Sequence, residues 1–110
     1  MYGMLCHLFP KQGQEQAVLD HLFRWEQEYL PGVTGYMNGY IFEPVAQAEA
    51  ALTPEGILLI VVFDSSASSI RNRENPEQAR WEQCLQDLLE QASEWHEGEM
   101  TELFAEAHGL

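Results

Sequence analysis

Apolar positions change their period several times along the chain, and each change marks a new element. Residues 4–9 (MLCHLF) are apolar but for one histidine, and Pro10 and Gly13 follow, which predicts a first strand and its end. Across residues 14–30 the period becomes helical. Val18, Leu22, Trp25 and Tyr29 recur at helical spacing, Leu19 and Leu30 widen the stripe, and Pro31-Gly32 stops it. Residues 33–42, rich in aromatic and β-branched side chains, predict a second strand. Gly35 and Gly39 inside it permit a bulge or leave room for another group to approach the backbone. Residues 43–56 form an Ala/Glu/Pro-bearing connection in which 45–52 has the composition for a helical turn or two. Ile57–Phe63 (ILLIVVF) is apolar at every position, the pattern of a strand buried on both faces.

In the second half, Asp64-Ser65-Ser66 offers capping side chains for a short helix running to about residue 73. Asn75-Pro76-Glu77-Gln78 is a stronger helix start, with Asn as the cap, Pro in the first turn and Gln78 completing a capping box. Trp81, Cys84, Leu85, Leu88, Leu89, Ala92 and Trp95 continue as one apolar stripe until Gly98 breaks it. Residues 99–104 alternate polar and apolar as a last strand.

The order strand, helix, strand, strand, helix, strand predicts an α+β, ferredoxin-like βαββαβ fold: a four-stranded antiparallel sheet with two helices on one face. The other face would expose one side of Ile57–Phe63, and Val33, Tyr36, Met37, Tyr40 and Phe42 of the second strand add to the apolar surface. Burying several hundred Å² of it against a second copy would contribute roughly 10 kcal/mol before association costs, at about 25 cal/mol per Å². A homodimer through the open sheet face is therefore expected. The competing expectation is a monomer whose long connection covers that face.

Composition narrows the class. The 110 residues suit a single domain spanning 1–110, and 45% hydrophobic residues supply one core. Eighteen acids against five Lys+Arg give a net charge of −13, which opposes nucleic acid and anionic membrane as partners and favours solubility. Cys6 and Cys84 are far apart and form no CxxC pair; reduced, buried thiols are expected. The first nine residues lack the charge and apolar length of a signal peptide. The longest apolar run, seven residues, cannot span a bilayer, so a cytoplasmic protein is expected.

Three stretches resemble the antibiotic biosynthesis monooxygenase-like group of dimeric α+β barrels. Phe9-Pro10-Lys11-Gln12-Gly13 ahead of an amphipathic helix is similar to that group's opening turn. Leu30-Pro31-Gly32-Val33-Thr34-Gly35-Tyr36 is similar to its approach to the second strand. Val61-Val62-Phe63-Asp64-Ser65, Asn75-Pro76-Glu77-Gln78 and Glu94-Trp95-His96-Glu97-Gly98-Glu99 resemble its second half. These are turn and packing phrases, not catalytic signatures. The resemblance implies a small dimeric barrel whose relatives oxidise aromatic or quinol molecules with O₂ and no cofactor, open haem, or have no assigned reaction. Haem-opening members carry Asn on the first strand and Trp on the third; this chain has Cys6-His7 and aliphatics with Phe63 there, which argues against that branch.

A cofactor-free oxygenase needs an apolar cavity, a base and orienting donors. Glu26 falls within the apolar arc of Leu19, Leu22, Tyr29 and Leu30, where a desolvated carboxylate could take a phenolic proton; the alternative is a rim position or a pairing with an arginine. His7 is a base if it faces the helices and an interface histidine if it faces a second copy. Asn38, with Tyr36 and Tyr40 assigned to the same strand face, could orient a substrate oxygen or hold a structural hydrogen bond. Trp25 and Trp81, with Tyr36 and Tyr40, are either core or a stacking surface for a flat ligand. His21, His96 and His108 read as surface or near-surface residues. No His/Asp/Glu trio has metal spacing, His96-Glu97 with Glu99 being a weak pattern, and no cofactor motif appears. The expected function is a cofactor-independent monooxygenase of a small aromatic or quinol-type substrate. The alternatives are a non-catalytic small-ligand-binding or stress-related dimer of the same fold, and a structural dimer module that engages another protein through its acidic face.

Overall fold

The computed structural model describes residues 1–43 and 56–103, which form one four-stranded antiparallel sheet with helices on one face. In chain order the elements are β1 (Tyr2–Leu8), α1 (Glu15–Arg24), β2 (Tyr36–Phe42), β3 (Ile57–Phe63), α2 (Ser66–Arg73), α3 (Pro76–Gln86) and β4 (Glu94–Glu99). The strand order β2-β3-β1-β4 places β1 and β3 in the middle and matches the ferredoxin-like fold expected from the element order. The helical turn expected over 45–52 lies outside the described residues. No helix among those described is long and apolar enough to cross a membrane.

Alternation along the central strands fixes the two faces. Met4, Cys6 and Leu8 of β1 are buried against the helices, with Ile57, Val61 and Phe63 of β3. Their packing partners are Val18 and Leu22 of α1 and Trp81 and Leu85 of α3. The opposite face carries Leu5 and His7, Leu58 and Ile60, Asn38, Tyr40 and Phe42, as the strand register requires. Tyr40 and Phe42 there are 57% and 58% exposed. Met100 lies over Gly3 on this face, in space a side chain at position 3 would fill.

Three local departures from the expected pattern matter for the site. First, α1 does not run evenly to residue 30: it widens into a π-helical turn at Trp25–Tyr29 and tightens into a 3₁₀ turn at Leu30–Gly32. Single π turns inside α-helices occur frequently at functional sites. Second, α3 ends at Gln86. Leu88 and Leu89 fold back instead, the Leu88 carbonyl accepting from the Lys11 amide at 2.9 Å and the Glu90 amide donating to the Phe9 carbonyl at 2.7 Å. Leu89 is buried without being helical, so the apolar stripe outlasts the helix.

Third, the last strand is Glu94–Glu99, not residues 99–104. As an edge strand paired, among the described residues, only with β1, it needs a single large apolar residue facing inward. Trp95, beside Cys6, supplies that contact. The 99–104 pattern continues past the last pairing of β1, whose Tyr2 already faces Glu99; Phe104 lies outside the described residues.

Candidate functional site

Two apolar clusters meet between helices and sheet. Leu22 and Trp81 belong to one; Met4, Val61 and Phe63 belong to the other. At their junction an aromatic-lined chamber of about 100 Å³ is left unfilled. Trp25, at the start of the π turn, stands edge-on to Tyr36 with ring centroids 5.7 Å apart. It is tilted against Trp81 at 6.1 Å, and Tyr36 stands at 89° to Phe63. Such edge-to-face contacts hold rings at fixed angles and leave a face available for stacking.

The second strand is shaped to admit the Tyr36 phenol. A bulge between Tyr36 and Asn38 turns Tyr36 toward the helices, opposite Phe63, and places Asn38 and Tyr40 on the far face. Gly39 then faces inward, and the Tyr36 hydroxyl occupies the space a side chain there would need. Burial, reinforced by the negative charge of Glu26, pushes the Tyr36 phenol above its usual range, so it stays protonated as a donor at neutral pH.

Polar groups enter the chamber from α2 and α3. Gln78, 6% exposed, accepts from Trp25 Nε1–H at 2.7 Å through Oε1 and donates from Nε2 to Glu82 Oε1 at 3.3 Å. A second, broader cleft of about 470 Å³ adjoins the chamber and shares Met4, Arg73, Glu82 and Trp95 with it. On its β4 side Glu97 is held by both oxygens. Arg73 Nη1 lies 3.0 Å from Oε1, and the Tyr2 hydroxyl donates to Oε2 at 3.0 Å.

His21, read as a surface or near-surface residue, is half-buried and ties α1 to α3. It stacks on Trp81 at 4.8 Å and 7°, its Nε2–H donates to the Trp81 carbonyl at 2.9 Å, and Trp81 Nε1–H donates to the His21 carbonyl at 3.2 Å. This pair fixes the Trp81 wall of the chamber.

The expected site residues divide by face. Trp25, Trp81, Tyr36 and Glu26 line the chamber, and Tyr40 borders it at β2 while its side chain lies on the far face beside Ile60. Glu26 lines it from an exposed rim position. The π turn advances the chain less evenly than the 100° step used to place it, and its carboxylate is not desolvated. The structure does not bring His7 or Asn38 to the chamber. His7 alternates with the inward Cys6 and Leu8 and packs at 4.1 Å from the Phe9 ring; Asn38 is exposed beyond the bulge. Tyr36 and Tyr40 do not share a face, for the same reason. Arg73, Gln78 and Glu82 are chamber residues that sequence reasoning passed over. The available signal was the Gln78–Trp81–Glu82 spacing, which puts two polar groups on the same side of α3 as a tryptophan.

Cys6 and Cys84 are unpaired, Cys6 buried and Cys84 exposed, so the expectation of two buried thiols holds for Cys6 alone. Burial pushes the Cys6 thiol up to about 12. Among the described residues, no group of three or more His, Cys, Asp or Glu is placed to hold a metal ion.

No family model matches the sequence, and comparison with curated proteins finds no match. Solved structures are similar in fold. SnoaB, a cofactor-independent oxygenase from Streptomyces nogalater, superposes with a TM-score of 0.77 at 11% identity over 96% of this chain and 97% of its own. A Deinococcus radiodurans protein named provisionally as an antibiotic biosynthesis monooxygenase gives 0.75 at 14%, over 94% and 96%. A further antibiotic biosynthesis monooxygenase gives 0.67 at 15%, over 93% and 100%. At these identities the likeness is one of fold: the chain carries the α+β fold of the antibiotic biosynthesis monooxygenase-like proteins, the group its turn and strand phrases resemble.

Proposed function

We propose that this chain is a cofactor-independent monooxygenase acting on a small aromatic or quinol-type molecule in the chamber between helices and sheet. The observation that carries the proposal is an unfilled, aromatic-walled chamber with carboxylates on its boundary, in a fold shared with a named cofactor-independent oxygenase. A hydroquinone with a ring hydrogen can supply the electrons itself. Removal of its hydroxyl proton gives an electron-rich oxyanion that reduces O₂. One oxygen atom bonds to the ring as a hydroperoxide, and loss of water leaves a hydroxyquinone. One O₂ is consumed per substrate, with one atom in the product and one in water. Trp25, Trp81 and Phe63 would stack on the ring and exclude water; the Tyr36 hydroxyl would donate to a substrate oxygen; Glu26 or Glu82 would take the proton.

A second reading, a non-catalytic ligand-binding or stress-related protein, is favoured by the exposed position of Glu26 and by the placement of His7 and Asn38 on the other sheet face. Oxygen uptake with a panel of small hydroquinones separates the two. Protein-dependent uptake supports the monooxygenase, and binding without uptake supports the second reading.

In the same proposal the chain works as a cytoplasmic homodimer. Leu5, Ile60, Tyr40 and Phe42 make the sheet face opposite the helices apolar and partly exposed, and a second copy packed there would bury it. His7 and Asn38 would then be interface residues. Two unpaired cysteines fit a reducing compartment.

A further inference from the structure

The chamber is too small to be the whole site. At about 100 Å³ it falls below the roughly 150 Å³ that encloses one benzene ring. A ring resting on its aromatic wall must therefore protrude, and the adjoining cleft of about 470 Å³ begins where Met4, Arg73, Glu82 and Trp95 line both spaces.

Arg73 and Glu82 have opposite charges and border the same two spaces, yet they do not pair with each other. The ion-pair partner of Arg73 among the described residues is Glu97, reached through Nη1, and Tyr2 holds the second Glu97 oxygen. Glu82 accepts one long hydrogen bond, from Gln78 at Oε1, and Oε2 has no partner among the described residues. A carboxylate and a guanidinium thus border one shared opening. A free anion would be opposed there by Glu82 and Glu97. A neutral hydroxyl suits it, because O–H donates to one side and its oxygen accepts from the other.

Resting on the function proposed above, we propose that Glu82 and Arg73 form the hydroxyl-recognition pair of this site. The ligand ring lies against Trp25, Trp81 and Phe63, and a phenolic oxygen sits between Glu82 and Arg73. Proton transfer there breaks the O–H bond heterolytically. The proton goes to Glu82 Oε2, the electron pair stays on the phenolic oxygen, and Arg73 faces the resulting oxyanion. Glu82, not the exposed Glu26, is then the base, and Gln78 links its position to Trp25.

The test is anaerobic titration calorimetry with 1,4-dihydroxynaphthalene and its dimethyl ether, which has the same rings but no donor. A site built around hydroxyl hydrogen bonds should bind the diol at least about tenfold more tightly than the ether. Glu82→Gln and Arg73→Met should each erase most of that preference while leaving ether binding within about twofold, and Glu77→Gln, exposed on the same helix, should keep it. Glu82→Gln retains an acceptor for Gln78 and preserves the fold; the melting temperature of each variant verifies this. Equal binding of diol and ether by the unsubstituted protein would overturn the assignment. So would loss of the preference in Glu26→Gln with Glu82→Gln unaffected, or failure of both compounds to bind. A preserved hydroxyl preference without oxygen uptake would leave the pair standing and sink the monooxygenase reading instead.

Discussion

Replacing Gln78 by Leu tests whether the chamber is held open by a hydrogen-bond chain or by apolar packing alone. The two side chains are close in size, so the substitution removes polarity while changing volume little. It deletes the acceptor of Trp25 Nε1–H, a 2.7 Å bond inside the protein, and the weaker 3.3 Å bond to Glu82. The first loss leaves an indole N–H half-buried without a partner, costing about 1–3 kcal/mol; the second, part-exposed, costs less than about 1. Added apolar burial offsets some of this, for a net of about 1–2 kcal/mol. For a domain of this size that lowers the melting temperature by roughly 5–15 °C. The assay is thermal denaturation followed by tryptophan fluorescence, which also reports the Trp25 environment directly. Gln78→Glu gives a signed companion. It keeps the acceptor for Trp25 but sets a buried carboxylate beside Glu82, so its folded pKa lies above the ordinary glutamate value of about 4.3. Relative to the unsubstituted protein, its stability should be best at acidic pH and fall as pH rises through that raised value. A Gln78→Leu protein melting within about 2 °C of the original would refute the reasoning, since the N–H would then be satisfied some other way.

Two further predictions follow from burial and from the open face. With the Cys6 thiol held near 12 by burial, a thiol reagent at about pH 8 should modify one cysteine, Cys84, in the folded protein and both after denaturation; two fast thiols in the folded state would contradict the Cys6 environment. Sedimentation should give twice the 12.6 kDa chain mass, and Ile60→Glu, a charge at the centre of the open face, should shift it to one chain without abolishing folding; an unsubstituted protein at one chain mass would sink the pairing.

Which parts of this molecule were legible in the sequence follows from how each residue contributes. β3 was plain because all seven residues are apolar, and no other element of that length is. The Asn75-Pro76 start of α3 was plain because a cap is a local contact, and Asn75 Oδ1 does accept from the Glu77 amide. The end of α3 was not, because Leu88 and Leu89 are buried by a loop that pairs with Phe9 and Lys11, residues far away in sequence. β4 is hard to read because an edge strand can be mostly polar: the register sets Glu97 opposite Met4 on the helix side, where Arg73 and Tyr2 satisfy its carboxylate. The site behaved the same way. The aromatic walls followed from periodicity, since tryptophans at helical spacing must point inward. The polar residues did not. A π turn moved Glu26 to the rim, a bulge separated Tyr36 from Asn38, and strand alternation sent His7 to the far face. None of those three shifts has a one-residue signature.

In the proposed reaction the chamber consumes O₂ through its substrate's own electrons. The most direct measurement is oxygen uptake with ¹⁸O₂ on 1,4-dihydroxynaphthalene, run with the purified, metal-stripped protein. A monooxygenase of this kind gives uptake above the buffer rate, one ¹⁸O atom in the hydroxynaphthoquinone product, the other in water, and no accumulation of hydrogen peroxide. Uptake no faster than buffer, or hydrogen peroxide formed one for one with unlabelled quinone, would contradict it.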